Sequence, residues 1–415
     1  MRETINTIIN EFKLILNCFL IMKITRIIHP VGQGGFYSEW LYDEGKEITV
    51  IYDCGGNNLE VMKSRINEEF DHTQTIDAVF ISHLHEDHIN GLKYLLKNFN
   101  VRYLFLPQLI EDEIYEAFLY NCLHNPRSIA NSLIPQLYPQ NETPRNFPGT
   151  ETRIAVVPRS EENDSFIQEN SDNVIDIDLS QDNSTIDNKL SNLSKGKNHI
   201  KIHFNHKWLY IPYNPPAKTV FDRSFYEYFK EELNDGKDFS INDIKSIVEQ
   251  KKKECKKVYN DYFGTHNAYS MTLFSGANPV DLRDYYFYYR FYWKHHWRLR
   301  SPNCLYMGDF ETTEHFDQLR QFYELFWRDI ESIQVPHHGS RNNHKSDLYE
   351  YARLGFVSVG EKNRHHHPNV DTVVDIKEMG CEPILATERR STMTWFRATD
   401  DRHFFKMMKR EELMI

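Results

Sequence analysis

The sequence predicts a mixed α+β protein made of two strand-rich halves on either side of an insertion. Three observations predict it. Apolar runs of strand length alternate with helix-length amphipathic stretches up to about residue 121 and again from about residue 261. Between about 122 and 200 that periodicity fades, and Asn, Ser, Asp, Pro and Glu dominate. A dense group of metal-competent side chains, His83-Leu84-His85-Glu86-Asp87-His88, lies where a strand-like run, Ile76–Ile81, gives way to a helix-like run, Ile89–Leu96.

Residues 1–22 read as an N-terminal extension. The most apolar stretch there, Phe12 to Met22, is interrupted by Lys13 and Asn17 and lacks a small-residue cleavage site, and Met22 is read as the natural start. The first half, 23–121, reads as strands at Lys23–Pro30, Phe36–Tyr42 and Ile48–Tyr52, a helix over Leu59–Phe70, a strand at Ala78–Ser82, the metal loop with its helix, and a strand at Val101–Leu106. The glycine cluster Gly32-Gln33-Gly34-Gly35 can cradle a phosphate or make a tight turn; without a following Gly-Lys-Ser/Thr the turn is preferred. The insertion, 122–260, is read as partly flexible, with 161–198 as a mobile segment or lid. It also holds a strand pair, Ile200–Phe204 and Trp208–Tyr213, and helices near Phe221–Leu233 and Ile241–Tyr259; the lysines of the second read as a solvated face. The second half, 261–415, reads as strands at Ala268–Phe274, Cys304–Met307, Ser332–Val335, Phe356–Val359, Pro383–Ala386 and Thr392–Phe396. Helices are expected at Glu314–Arg328, His344–Arg353 and Val370–Met379.

The formal net charge of -11 is concentrated rather than spread. Residues 161–188 carry acids and no Lys or Arg, so the remainder is nearly neutral and leaves room for a basic cleft. The six cysteines show no C-x-x-C pair, which excludes a zinc ribbon or a disulfide scaffold and implies a reducing, cytoplasmic setting. No apolar run approaches the roughly 20 residues of a membrane span.

Four ligands within six residues of a strand-to-helix turn can be aimed into one small volume, and desolvating them together without a metal would be costly. Imidazole and carboxylate suit Zn, Mn or Fe. Three later sites have matching chemistry: His266-Asn267, Gly308-Asp309, and Val335-Pro336-His337-His338-Gly339-Ser340, each beside a predicted strand.

The ordered set resembles the metallo-β-lactamase superfamily of metal-dependent hydrolases, through His83-x-His85-x-Asp87-His88, Gly308-Asp309 and Pro336-His337-His338-Gly339-Ser340, with Asp53-Cys54-Gly55 as an early strand end. Within it the chain resembles the hydrolase domain of ComEC/Rec2 competence proteins, through Asn267-x-x-Ser270, His337-His338-Gly339-Ser340, and Ser358-Val359-Gly360 leading to Asn363 and His367-Pro368. The resemblance implies a four-layer αββα sandwich of two facing sheets, each of four to six strands, with helices outside. It implies two divalent ions, zinc first: His83 and His85 on one, with His266 as a third ligand; Asp87, His88 and His337 on the other; Asp309 bridging both. The choices between His266 and Asn267 and between His337 and His338 stay open, with His337 preferred; His203 and His206 are fallback ligands.

The same resemblance assigns Asp87, Asp309 and His367 to the chemistry and Asn267, Ser270, Ser340 and Asn363 to substrate binding. His365 and His366 sit beside His367, and the run can also be read as a solvated loop. A water shared by two ions is a hydroxide near neutral pH, which suits attack on phosphorus or a carbonyl carbon. Residues 285–300 interleave aromatics with Arg, Lys and His; they suit stacked bases and phosphates, or a hairpin packed on the core. The expected function is therefore a dinuclear phosphodiesterase or nuclease acting on nucleic acid or a nucleotide. The alternatives are a thioester or lactone hydrolase, and a metal-binding regulatory subunit whose insertion meets a protein partner or a second copy.

Overall fold

The computed structural model of the chain describes residues 21–139, 146–161, 165–166, 174–191, 199–216, 224–263, 270–281, 284–290, 300–363, 366–402 and 405–406. Two eight-stranded mixed sheets dominate it. The first takes β1 (Lys23–Ile28), β2 (Phe36–Asp43), β3 (Lys46–Cys54), β4 (Thr75–Phe80), β5 (Asn100–Pro107) and β6 (Arg153–Val157), together with β11 (Tyr286–Arg290) and β16 (Thr394–Thr399), in the order β11-β16-β1-β2-β3-β4-β5-β6. The second takes β7 (Val174–Asp178), β8 (His199–Phe204), β9 (Trp208–Tyr213), β10 (Thr272–Ala277), β12 (Asn303–Tyr306), β13 (Ile330–Gln334), β14 (Leu354–Ser358) and β15 (Glu382–Ala386), in the order β15-β14-β13-β12-β10-β9-β8-β7. The described helices are α1 (Leu59–Glu69), α2 (Glu86–Ile89), α3 (Leu92–Asn98), α4 (Glu111–His124), α5 (Ala130–Leu137), α6 (Asn183–Leu190), α7 (Phe225–Leu233), α8 (Asp243–Phe263), α9 (Thr312–Phe322), α10 (Glu324–Trp327) and α11 (Val370–Glu378).

Strand alternation sets the layering, because successive side chains point to opposite faces. Ile24, Tyr37, Phe80 and Phe105 of the first sheet share one core with Ile202, Trp208, Leu273 and Phe356 of the second. Ile51, Val79 and Leu104 face the other way, onto Met62, Leu92, Phe118 and Val248 of helices. Ile211, Leu305, Ile333 and Val357 do the same on the second sheet, against Phe316, Leu319 and Ile376. Local signals fix several helix starts: Asn58 accepts from the amides of Glu60 and Val61 to begin α1, and Asn369 accepts from that of Asp371 to begin α11.

Parallel pairing places the site. β3 and β4 run parallel, as do β12, β13 and β14. The carboxyl ends of each set therefore lie along one sheet edge, where loops can converge.

The structure departs from the sequence reading in several places. The sheets have eight strands each, not four to six, and β6, β7 and β11 were unforeseen. The stretch expected as an insertion supplies β6 to one sheet and β7, β8 and β9 to the other. Its acidic part includes β7 and α6, and several acids there are paired: Asp176 with Lys201 and His203, and Asp187 with Arg153. The helix expected at His344–Arg353 is only a short 3-10 turn, Ser346–Tyr349, which buries Leu348 and Tyr349 just before β14. The helix after the metal loop breaks in two at Asn90-Gly91.

The five cysteines among the described residues, Cys54, Cys122, Cys255, Cys304 and Cys381, are all free and buried. No helix among the described residues is long and apolar enough to cross a membrane.

Candidate metal centre

The loop 83–88 leaves the end of β4 and meets the ends of β3, β12 and β13. His83, His85 and His88 are almost fully buried, as are Asp309 and His338. His88 Nε2 lies 3.2 Å from Asp309 Oδ1, and His83 Nε2 lies 3.6 Å from Asp309 Oδ2. His338 Nε2 lies 3.3 Å from Asp87 Oδ2 and 3.6 Å from Asp309 Oδ1. His337 Nε2 is 3.8 Å from Asp309 Oδ2. Two triads of donor atoms each close within 4.8 Å: His83, His88 and Asp309, and Asp87, His88 and His338.

The opposite side of each ring is held by the protein. His88 Nδ1 meets Asp53 Oδ2 at 2.7 Å. His83 Nδ1 lies 2.9 Å from Ser82 Oγ and 3.1 Å from Ser270 Oγ. His338 Nδ1 meets the Ser358 carbonyl at 2.9 Å. Fixing Nδ1 aims Nε2 into the centre, the usual arrangement behind a metal-binding histidine. What remains is a set of buried atoms with no hydrogen-bond partner among the described residues: Nε2 of His83, His85, His88 and His338, and Oδ1 of Asp309. Buried polar groups are nearly always satisfied, so several orphaned lone pairs facing one another fit a divalent cation.

The charges agree. Burial, with His88 nearby, holds the His83 imidazole well below its ordinary range and so neutral. Burial opposes a charge on His88 too, but Asp309, Asp53 and Asp87 outweigh it and raise that ring. The Asp309 carboxyl is pulled well below the carboxylate range against its burial by His337, His88, His338 and His83. A metal ion is an ordinary neutraliser for carboxylates crowded beside imidazoles.

Local backbone explains how the loops fit. Gly308 has φ +55, and a Cβ there would meet Ser82 Cβ at 2.5 Å, so only glycine admits the turn that presents Asp309. Gln334 fixes the same turn, accepting from the amides of Met307 and Gly308 and donating to the Gly308 carbonyl. The cluster 32–35 is a turn packed on the metal loop: a Cβ on Gly34 would meet the Asp87 carbonyl at 2.2 Å, and the Gly35 amide donates to that carbonyl.

Of the residues expected at the site, His83, His85, Asp87, His88, Asp309 and His337 lie together, joined by His338. His338 is the more buried of the histidine pair and reaches both carboxylates, whereas His337 reaches Asp309 alone and has its ring 5.6 Å from that of His367. Left-handed backbone at both residues turns the strand end sharply, so counting from the end of β13 misplaces the pair. His266 and Asn267 lie outside the described residues, as does His365. His203 and His206 are elsewhere, at the β8–β9 turn beside Asp178. Ser270, expected to touch substrate, stands behind His83 and Asp309, its hydroxyl on the His83 ring and on the Asp309 amide. Asn363 bonds the backbone of His367 and Gly360 instead of facing the centre. Ser340 is buried, its amide donating to the His337 carbonyl. Sequence reasoning missed Asp53 as the partner of His88, although its place at a strand end beside Gly55 was visible. It missed Gln334 and all of α4.

The described part of the aromatic-basic segment is β11, at the sheet edge with four strands between it and β4. Tyr289 there is fully buried and bonded to Ser332 and Arg26, so these rings pack on the core. Residues 291–299 lie outside the described part.

The chain matches the model of the family described as "Anti-Pycsar protein Apyc1" over residues 33–138. No curated protein matches it. The matched stretch contains Asp53 and the whole loop 83–88. This match corrects the resemblance drawn from the sequence: the family model matched over residues 33–138 is the anti-Pycsar one, not one of the metallo-β-lactamase superfamily or of the ComEC/Rec2 competence domains. The short motifs behind that resemblance report a ligand pattern, which does not by itself choose among families that use it. The nuclease, the thioester or lactone hydrolase and the regulatory subunit fall with it as readings of function.

Proposed function

We propose that this protein is a metal-dependent phosphodiesterase that opens the ring of a small cyclic nucleotide. The observation that carries the reading is the convergence on Asp309 of the orphaned imidazole nitrogens of His83 and His88, two residues within the stretch that matches a family named for opposing Pycsar. Degradation of a cyclic nucleotide is the activity that the match favours, and a phosphodiester is a bond that this donor set can address.

In this reading His83, His85 and Asp309 would hold one ion, and Asp87, His88 and His338 would hold the other. Divalent cations bound there supply charge neutralisation at the phosphoryl group and a nucleophile at neutral pH. The protein supplies position. Asp53, Ser82, Ser270 and the Ser358 carbonyl lock the imidazoles, so little reorganisation is needed during reaction. In the hydrolysis a water oxygen forms a new bond to phosphorus and one ring P–O ester bond breaks. The water's proton ends on the leaving sugar oxygen. His367, beside His337 at the rim, is placed to deliver that proton, and Asn363 fixes its backbone. We also propose a four-layer αββα arrangement, from the three cores described above, and a cytoplasmic location, where cyclic nucleotides act and free thiols persist.

The test is hydrolysis of a panel of 3′,5′-cyclic mononucleotides with added Mn or Zn, with the nucleoside monophosphates separated by chromatography. Turnover by the wild type and a loss of about 10²–10³-fold or more in Asp309→Asn are expected. No ring opening of any cyclic nucleotide by metal-loaded protein would sink the proposal.

A further inference from the structure

The helix α4 lies over the metal loop and is fastened to it on both sides of His85. Asn121 Nδ2 donates to the Leu84 carbonyl at 2.9 Å, and the Glu86 amide donates to Asn121 Oδ1 at 2.9 Å. The Tyr120 ring stacks on His85, centroids 3.8 Å apart and planes 11° from parallel. One turn earlier on the same face stands Glu116, a carboxylate only 5% exposed. Its Oε1 is 3.7 Å from His85 Nε2, a nitrogen with no hydrogen-bond partner among the described residues.

A buried carboxylate is costly unless something positive or donating meets it. The Tyr259 hydroxyl, reaching over from α8, donates to Glu116 Oε1 at 2.5 Å, and no Lys or Arg among the described residues pairs with it. One neutral donor is little compensation for a full charge. Ligand atoms about 2.0–2.1 Å from a shared tetrahedral ion lie about 3.3 Å apart. The separation of Glu116 and His85 is of that order, and it matches that of His83 and Asp309, 3.6 Å.

We propose that Glu116 is a ligand of the ion shared with His83 and His85, held in place by the Tyr259 hydroxyl. This rests on the metal-centre reading above. It would make α4 part of the centre and would couple the packing of α8, through Tyr259, to metal affinity.

Isothermal titration of the metal-free full chain with Zn, with bound metal counted by native mass spectrometry, tests this for the wild type, Glu116→Gln, Glu116→Asp and Tyr259→Phe. Glu116→Gln should weaken one ion and leave the other unchanged; Tyr259→Phe should weaken the same ion by about 10–100-fold, and less than Glu116→Gln does. The visible spectrum of the Co(II)-loaded protein should change in Glu116→Gln, a signature that a merely structural role would not produce. Two ions bound by folded Glu116→Gln with wild-type affinity and an unchanged Co(II) spectrum would overturn the proposal. If Glu116→Gln does not fold, Glu116→Asp decides: unchanged affinity for both ions overturns the proposal, and selective weakening of one supports it. A wild type that binds no divalent ion would instead bring down the metal-centre reading on which this rests.

Discussion

Among the described residues, one buried polar cluster between the sheets and another at the sheet edge are built on opposite plans. Between the sheets, Arg26 is fully buried against Glu39, Nε to Oε1 at 2.6 Å. Tyr210 and Ser275 donate to Glu39 Oε2, and Tyr306 donates to Oε1. Arg26 also donates to Tyr289, Ser275 and the Pro302 carbonyl, and its guanidinium lies 4.8 Å from the Phe396 ring centroid. None of these side chains has an unsatisfied buried polar atom. At the sheet edge the reverse holds: four imidazole nitrogens and a carboxylate oxygen face one another without partners. A cluster that satisfies itself is architecture. One whose lone pairs converge unsatisfied is arranged for something that arrives from outside.

The contrast makes opposite demands on mutation. The largest effect should come from breaking the closed cluster: Glu39→Ala leaves a buried guanidinium uncompensated and should cost about 3–5 kcal/mol of stability, seen in chemical denaturation. A loss below about 1 kcal/mol would mean that water reaches Arg26. Mutating the open cluster should behave differently. His85→Ala should lower metal affinity and turnover severely and destabilise the metal-free protein clearly less than Glu39→Ala, because its Nε2 makes no hydrogen bond among the described residues. If metal-free stability fell as far as in Glu39→Ala, the two clusters would be alike and the comparison would fail. A smaller effect should follow from Asp53→Asn, which weakens the group behind His88 without touching the centre. Metal affinity should fall about 10–100-fold, and unchanged affinity would reduce Asp53 to packing.

The two clusters also differ in how far the sequence disclosed them. The contiguous loop His83–His88 was legible because its ligand types crowd into one turn between a strand and a helix. Gly308-Asp309 and His337-His338 were legible because each follows an apolar strand. The remainder depended on distance along the chain. Glu116 and Tyr259 come together only when α8 packs on α4, and nothing local marks either residue. The choice between His337 and His338 turns on two left-handed residues in succession, a conformation uncommon outside glycine and invisible to strand counting. The Arg26–Glu39 cluster was not foreseen at all, since a charge inside a strand reads as an outward position until its partner on another strand is known. The strands between residues 150 and 180 were lost for a related reason: they are short, and the acids of β7, taken for solvated surface, are partly paired with cations of a neighbouring strand.

The claim on which the rest depends is that the open cluster binds two divalent ions. Metal analysis of protein reconstituted with Zn, wild type beside Asp309→Asn, tests it most directly. The account predicts two ions per chain in the wild type and the loss of at least one in the variant, with the fold retained by circular dichroism. A wild type that binds no metal, or an Asp309→Asn variant that still holds both ions at wild-type affinity, would contradict it.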